Sequence, residues 1–262
     1  MHDFRSEEVI KRWDLSAELV AAYCSKYGDI NKEVLLTPVI LEMLGRVADK
    51  NILDAGCGEG FLNRLMAERG ALVTAVDYSA RLLEIARERT ADGLQVEYLH
   101  ANLEHLDMLN DDTFDTVVSC VVIQGVPDYQ AATKEMYRVL QPGGTCILAV
   151  THPCFSSDGG WVKDSKGKKL YWKIDNYFYE RGFEIPLTPH PDNNPIDFHR
   201  TLTSYFRTIV GTGFMIEDMM EPHPSQEAIG KHPDFIDDLR MSHFLVFRLR
   251  KGAEAHLAPE TD

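Results

Sequence analysis

The sequence predicts an α/β fold built on a parallel sheet with helices on both faces, and three observations predict it. From residue 51 onward, apolar runs of strand length alternate with segments of helical periodicity. The first run, Asn51-Ile52-Leu53-Asp54-Ala55, feeds directly into a turn that holds Gly56, Gly58 and Gly60, and a helical segment follows from Phe61 to about Gly70. The second run, Val73-Thr74-Ala75-Val76, ends on a carboxylate, Asp77. Strands that alternate with helices in this way pair in parallel through right-handed crossovers.

Along the chain, residues 7 to 27 read as one or two helices with Trp13, Leu15, Leu19, Val20 and Tyr23 as an apolar stripe. Tyr27-Gly28-Asp29-Ile30-Asn31 breaks the helix, and Pro38 opens another that runs to about Gly45. Strands are expected at 51–55, 72–76, 95–99, 115–121 and 144–150, and helices at 60–69, 79–90 and 128–139. Ser79 and Asp128 are placed to cap the second and third of these helices. Between the strand at 144–150 and a helix at 201–211 lies an insertion of about fifty residues, long for a connection. Within it Trp161 to Asp164, Ser165-Lys166-Gly167, and Lys168 to Ile174 read as a β-hairpin, and Trp172, Tyr177, Phe178, Tyr179 and Phe183 make the stretch rich in rings. Two more strands are expected at 213–222 and 243–250, and residues 253–262 read as a frayed tail. The whole, 1–262, is read as one domain. Its parts are an N-terminal helical piece at 1–48, a half built on the glycine turn at 49–151, a cap at 152–200 and C-terminal strands at 201–252.

Composition sets outer bounds. A chain of 262 residues, 44% apolar and 26% charged, is long enough to bury a sizeable core and has the make-up of a globular protein. No apolar stretch approaches the roughly 18 residues that span a membrane, and the charged residues 1–14 lack a signal-peptide core. No membrane partner is expected, and the expected location is cytoplasmic. A formal net charge of −14 works against phosphate attraction, so no nucleic-acid partner is expected either. Five scattered cysteines without a C-x-x-C pair read as reduced thiols, with no disulfide framework and no metal site. The expected assembly is a monomer or a homodimer.

The chemistry lies in the glycine turn. Glycine there tolerates positive φ and lets a ligand approach the backbone, and an acid ending the second strand can accept from both hydroxyls of a ribose. The two together read as a nucleoside-binding βαβ unit. Spacing decides which nucleoside, because a dinucleotide site wants G-x-G-x-x-G and the position wanted for its third glycine is Phe61. The pattern D-x-G-C-G-x-G over 54–60, followed by Asp77, instead resembles motif I of the class I S-adenosylmethionine-dependent methyltransferases. The resemblance covers residues 51–150 well and the last two strands moderately.

It implies a Rossmann-like seven-stranded sheet in the order 3-2-1-4-5-7-6 with strand 7 antiparallel, an N-terminal lid, and S-adenosyl-L-methionine as cofactor. Position by position, the backbone around Gly56 and Gly58 would face the methionine part, and Asp54 would help hold its ammonium from behind the turn. Asp77 would take the ribose, and Tyr78 would lie along the adenine edge. Asn102 stands where the family usually has an acid and can accept from the adenine amino group, with the Leu103 backbone N–H on a ring nitrogen. Cys120, with Val121 and Val122, would pass under the sulfonium, and Gln141-Pro142-Gly143-Gly144 matches the family's turn before the fifth strand. One stretch departs: Gln124 and Gly125 stand where the family more often carries Glu-His or His-His, so the histidine often found near the methyl group is missing.

Methyl transfer from a sulfonium is an in-line displacement on an activated reagent, so alignment and exclusion of water are the main demands. A base is needed only where the acceptor must lose a proton. His152, directly after the fifth strand, and His199, at the end of the cap, are the candidate catalytic bases; the alternative for each is a histidine bonded to backbone to fix the cap. Arg200 holds a carboxylate, either on the substrate or within the fold. Trp161, Trp172, Tyr177 and Tyr205 are candidates to stack on an acceptor ring. Gln124 and, from the lid, Tyr23 complete the expected acceptor contacts, with core packing as the other reading of Tyr23. The expected function is methyl transfer to N, O or C of a small aromatic or heterocyclic acceptor. The alternatives are a tRNA or protein acceptor, and a non-catalytic S-adenosylmethionine-binding regulator.

Overall fold

The computed structural model describes residues 4–156, 158–187 and 193–253, so the expected tail lies outside the described residues from 254 on. Strand β1 (Asn51–Ala55) lies between β2 (Leu72–Asp77) and β4 (Phe114–Cys120), parallel to both. Beyond β2 lies β3 (Val96–His100), and beyond β4 lies β5 (Leu140–Thr151), again parallel. β11 (Phe244–Lys251) inserts antiparallel between β5 and the last-but-one strand of the chain, β10 (Phe214–Met220). The seven-stranded order is β3-β2-β1-β4-β5-β11-β10, as the resemblance implied.

A strand buried on both faces needs an apolar run rather than an alternating one, and Ile52, Leu53 and Ala55 are all fully buried. Their alternation divides the core. Ile52 joins Val118, Ile147 and Val246 beneath α2 (Thr37–Leu44) and α3 (Phe61–Ala67). Leu53 joins Val117, Leu148 and Phe247 beneath α5 (Tyr129–Val139) and α6 (Leu202–Thr212). Ser79 caps α4 (Ala80–Arg89) by accepting from the Leu82 N–H at 3.1 Å, and Asp128 caps α5 by accepting from the Ala131 N–H at 2.9 Å.

Three features differ from the sequence reading. The turn at Gln141–Gly144 is a bulge inside β5, because Leu140 already pairs with Phe114 before Thr145 pairs with Thr116. The amino-terminal helix α1 (Ser6–Ala22) buries Val9, Arg12, Ser16, Ala17 and Ala21, whereas Leu15 and Tyr23 are exposed. Its contact with α4 uses small side chains, Ala17 and Ala21 against Leu82 and Ile85, so the face with the largest apolar residues is not the one that packs there. The cap contains the expected hairpin, β6 (Asp158–Lys163) and β7 (Lys169–Asp175), and a second, unforeseen one, β8 (Arg181–Glu184) with β9 (Ile196–His199).

The second hairpin joins the amino-terminal helix. Arg12 pairs with Glu184 at 2.7 Å, and Ser16 Oγ donates to the Asn193 carbonyl at 2.7 Å. Helix and cap thus make one continuous cover over the carboxyl ends of the central strands.

Candidate active site

A hollow with about 770 Å3 of empty space, part of it open to solvent, lies at the carboxyl ends of β1, β2 and β4. Its floor is the glycine turn. Gly56 and Gly60 both have φ of +87° and Gly58 has +54°. A Cβ on Gly56 would stand 2.3 Å from Val122 Cγ1, whereas one on Gly58 would meet nothing within 4 Å. The first glycine therefore lets two chain segments touch, and the second leaves space at the wall of the hollow.

Asp77, at the end of β2, fixes the turn. Its Oδ2 accepts from the Gly58 N–H and its Oδ1 from the Ser79 N–H, each at 2.8 Å. Burial raises its pKa, and these two N–H donors work against the rise. Asp54 lies behind the turn, 1% exposed, and burial followed by the charge of Asp77 pushes its carboxyl up to about 7. Its Oδ2 has no hydrogen-bond partner, and neither does Oε1 of Glu59, although Glu59 Oε2 is paired with Arg64 at 2.9 Å and Arg89 at 2.7 Å. Leaving a buried polar atom unsatisfied costs about 1–3 kcal/mol; the Asn63 amide beside Asp54 is also unpartnered at Nδ2, and with that single donor for two carboxylate oxygens the wall of the hollow suits a cationic donor. Lys32, in the π-helical turn Lys32–Leu36, supplies the opposite charge on another wall; burial works against its ammonium, and Asp29 at 2.6 Å keeps it protonated.

The end of β4 is strained. Val121 has φ of +61°, a conformation that a β-branched residue adopts only when its surroundings impose it. Cys120, Val121 and Val122 line the hollow there, and burial pushes the Cys120 thiol up to about 12.

The structure brings together Asp54, Gly56, Gly58, Asp77, Tyr78 and Cys120 around the hollow. Asn102 and Leu103 do not line it. Asn102 closes a turn on Glu104, accepting from its N–H at 3.0 Å and donating to its carboxylate at 2.9 Å, and the Leu103 side chain is core.

The expected acceptor residues are not gathered at the hollow, because the cap consumes them in its own construction. His152 accepts from the Cys154 N–H at Nδ1, 3.1 Å, and donates from Nε2 to Glu221 at 2.7 Å. Burial lowers its pKa, and both ring nitrogens are engaged. His199 donates from Nε2 to the Tyr177 carbonyl at 2.8 Å, which is the backbone-fixing alternative. Arg200 holds no carboxylate: it donates to the carbonyls of Ile123 at 2.9 Å, Val126 at 2.6 Å and Pro127 at 3.1 Å, between the rings of Tyr129 and Phe198. Trp161 and Trp172 meet edge to face at 5.4 Å across the β6–β7 hairpin, with Arg240 over Trp161. Tyr177 accepts from the Leu202 N–H at 2.9 Å, Tyr205 packs on Tyr129 in the core, and Tyr23 is 66% exposed. Gln124 is buried, and its Oε1 has no partner.

Residues that the sequence did not mark as site residues complete the walls: Trp13, Val20 and Cys24 from the amino-terminal segment, together with Lys32 and Glu59; Gly125, where the family's histidine is missing, lines it as well. For Glu59 there was a signal, an acid inside the glycine turn itself. For Trp13 the signal was misread, since it was assigned to a packing stripe. Lys32 carries none.

Comparison with known proteins follows this geometry. Residues 53–148 match a sequence family described as a methyltransferase domain. The structure superposes on a candidate S-adenosylmethionine dependent methyltransferase from Listeria monocytogenes with a TM-score of 0.72 and 30% identity, covering 82% of this chain and 95% of that one. An S-adenosylmethionine dependent methyltransferase from Mesorhizobium loti gives a TM-score of 0.72 at 28% identity, with 82% and 97% covered. A ubiquinone biosynthesis O-methyltransferase from Xanthomonas euvesicatoria pv. vesicatoria is 36% identical over 118 residues, 44% of this chain and 49% of that protein, so the match spans about half the length of that relative.

Proposed function

This chain belongs to the class I S-adenosylmethionine-dependent methyltransferases, and we propose that it methylates N, O or C of a small aromatic or heterocyclic acceptor held beneath the joined helix and cap. Its cofactor is S-adenosyl-L-methionine, which when bound supplies a methyl group already activated on a sulfonium. The donor set of the hollow fits that molecule. The unpaired oxygens of Asp54 and Glu59 suit its ammonium, Lys32 its carboxylate, Asp77 the ribose hydroxyls and the half-buried Tyr78 ring the adenine.

The pair of unsatisfied carboxylate oxygens behind the glycine turn is the observation that carries this reading. A phosphate-bearing nucleotide would be repelled by them. Charges in a partly enclosed hollow interact more strongly than in open water, so this chain's residues bind and orient the ligands beneath the cover. A small acceptor is supported by the closure of that cover through Arg12–Glu184 and by the net charge of −14, which disfavours tRNA. The relative named for ubiquinone biosynthesis supports a ring-bearing acceptor. We place the enzyme in the cytoplasm as a monomer or homodimer, without membrane or nucleic-acid partners.

Titration calorimetry with S-adenosylmethionine, S-adenosylhomocysteine and NAD tests the site. Micromolar binding of the first two and none of NAD is expected, and silence toward both sulfur nucleosides would overturn the placement. Transfer of labelled methyl to small phenols or N-heterocycles is the expected activity. Label recovered only in bulk tRNA or protein would overturn the small acceptor.

A further inference from the structure

Next to the Val121–Val122 side of the hollow, two buried polar atoms of opposite kind face a glycine. A Cβ on Gly125 would stand 3.4 Å from Asp197 Oδ1 and 3.5 Å from Trp13 Nε1. Neither atom has a hydrogen-bond partner, and they do not bond each other. Asp197 is only 7% exposed, and Gly125 and Trp13 both line the hollow. One atom accepts, the other donates, and the missing side chain of Gly125 leaves room for about one heavy atom in ordinary contact with both.

The three come from distant parts of the sequence and are held together deliberately. Trp13 lies on α1, and Asp197 lies on β9, two strand positions from His199. Arg200 follows directly and ties β9 to the loop of Gly125 through the carbonyls of Ile123, Val126 and Pro127. Arg200 is thus a positioning residue, fixing the cap's acid against the position where the strand-4 loop lacks a histidine.

We propose that Asp197 Oδ1 and Trp13 Nε1 together recognise a hydroxyl group on the acceptor, and that Asp197 takes its proton. This rests on the methyltransferase reading and narrows it to O-methylation. A hydroxyl oxygen can donate to Asp197, accept from Trp13 with one lone pair and keep a second for attack; a carbon acceptor makes neither bond, a protonated amine cannot accept, and a neutral amine that accepts from Trp13 has spent the one pair it needs. The balance is simple: the hydroxyl proton passes to Asp197, an oxygen lone pair forms the new O–C bond, and the electrons of the broken C–S bond stay on sulfur as a neutral thioether. Burial holds Asp197 up to about 7, with Arg200 and Lys32 drawing it down, so near neutrality it is poised between base and acid. Tyr78 and Tyr205 are the other ionisable groups that feel its charge.

The test uses the full chain labelled with 5-fluorotryptophan, whose Trp13 resonance is assigned by Trp13→Phe. In the unliganded protein that resonance is expected to titrate near pH 7, and Asp197→Asn should abolish the step. With S-adenosylhomocysteine bound, phenol should shift the Trp13 resonance and bind at least tenfold more tightly than anisole. Asp197→Asn should remove that preference while leaving S-adenosylhomocysteine affinity within about threefold. Gly125→Ala, which makes only ordinary contacts, should lose phenol binding by filling the space. Equal binding of phenol and anisole, binding of neither, or a preference that survives Asp197→Asn overturns the proposal. Failure of S-adenosylhomocysteine itself to bind the wild-type protein would instead overturn the methyltransferase reading on which it rests.

Discussion

Gly56→Ala is the most direct perturbation of the glycine turn, and its cost can be worked from the structure. The backbone at position 56 has φ of +87°, where an L side chain costs about 1–2 kcal/mol. The new methyl would stand 2.3 and 2.5 Å from the two Cγ atoms of Val122 and 2.9 Å from its Cβ. A branched side chain has no flexible end to swing away, so overpacking adds about 1–3 kcal/mol. Together these give a loss of about 2–5 kcal/mol. At this chain length each kcal/mol lowers Tm by about 2–4 °C, so the variant should melt roughly 4–20 °C below the parent. Val122 also lines the hollow, so displacing it should weaken S-adenosylmethionine at least tenfold. The assay is urea denaturation of Gly56→Ala, Val122→Ala and the double variant. If the clash is real, the double variant recovers the overpacking part and the cycle shows a favourable coupling of about 1–3 kcal/mol, while the φ cost stays. A loss below about 1 kcal/mol for Gly56→Ala, or strict additivity with Val122→Ala, would refute the reasoning.

Asp77→Ala should weaken S-adenosylmethionine by at least tenfold in calorimetry, because the ribose loses its acceptor and the Gly58 N–H loses the group that orients it; unchanged affinity would refute the ribose placement. Asp54 has a folded pKa raised from 3.8 to about 7, so the fold loses stability as pH rises between those values and levels off above about 7. Asp54→Asn should therefore raise urea stability at pH 8, by up to on the order of 4 kcal/mol, and leave it nearly unchanged at pH 3.5. The same carboxyl must be charged to hold an ammonium. Calorimetry at pH 6 in buffers of different ionisation enthalpy should show release of up to about one proton on S-adenosylmethionine binding, and none in Asp54→Asn. Arg200→Ala removes the side-chain donor to three carbonyls, of which that of Ile123 still accepts from the Val126 N–H at 3.2 Å, and should cost about 3 kcal/mol in denaturant. His152→Ala should lower Tm through loss of the Glu221 contact while turnover stays near wild type, and a turnover loss at unchanged Tm would restore His152 as a base.

The sheet and the cofactor end were legible because their signals are local. A glycine turn, the strand before it and the acid after the next strand are neighbours in sequence as well as in space, so spacing located Gly56, Gly58 and Asp77, and the resemblance added Asp54. The antiparallel β11 between β5 and β10 was legible only through the resemblance. The acceptor end was not legible, because its parts are brought together by tertiary return rather than by pattern. Trp13 and Asp197 are 184 positions apart, and nothing in the pattern around Asp197 marks it, in a hairpin that was itself unforeseen. His152, His199 and Arg200 drew attention as reactive side-chain types. Each is spent on a bond that holds the cap: to Glu221, to the Tyr177 carbonyl and to the loop of Gly125. Counting rings in the insertion misled for the same reason, since Trp161 and Trp172 pack on each other.

Where the chain departs from good packing is itself informative. A sequence selected for stability alone would leave no acid unpaired in its interior and no β-branched residue at positive φ. Here the strained Val121, the free oxygens of Asp54 and Glu59, and the free atoms of Trp13 and Asp197 all belong to one region at the carboxyl ends of β1 and β4 and the cover above them. Among the described residues elsewhere, a buried charge such as Arg12 is paired, here with Glu8 and Glu184, although His199 Nδ1 and Trp172 Nε1 are also without a partner. The unsatisfied atoms also divide by chemistry. Behind the glycine turn the free carboxylate oxygens of Asp54 and Glu59 lie beside one free donor, Asn63 Nδ2, so acceptors outnumber donors there, which suits a cation. Over Gly125 they are one acceptor and one donor, which suits a neutral group able to do both. One ammonium cannot explain both sets, because it has nothing to accept from Trp13. Two ligands meeting between Val121 and Gly125 can, and the strained end of β4 lies where the two would touch.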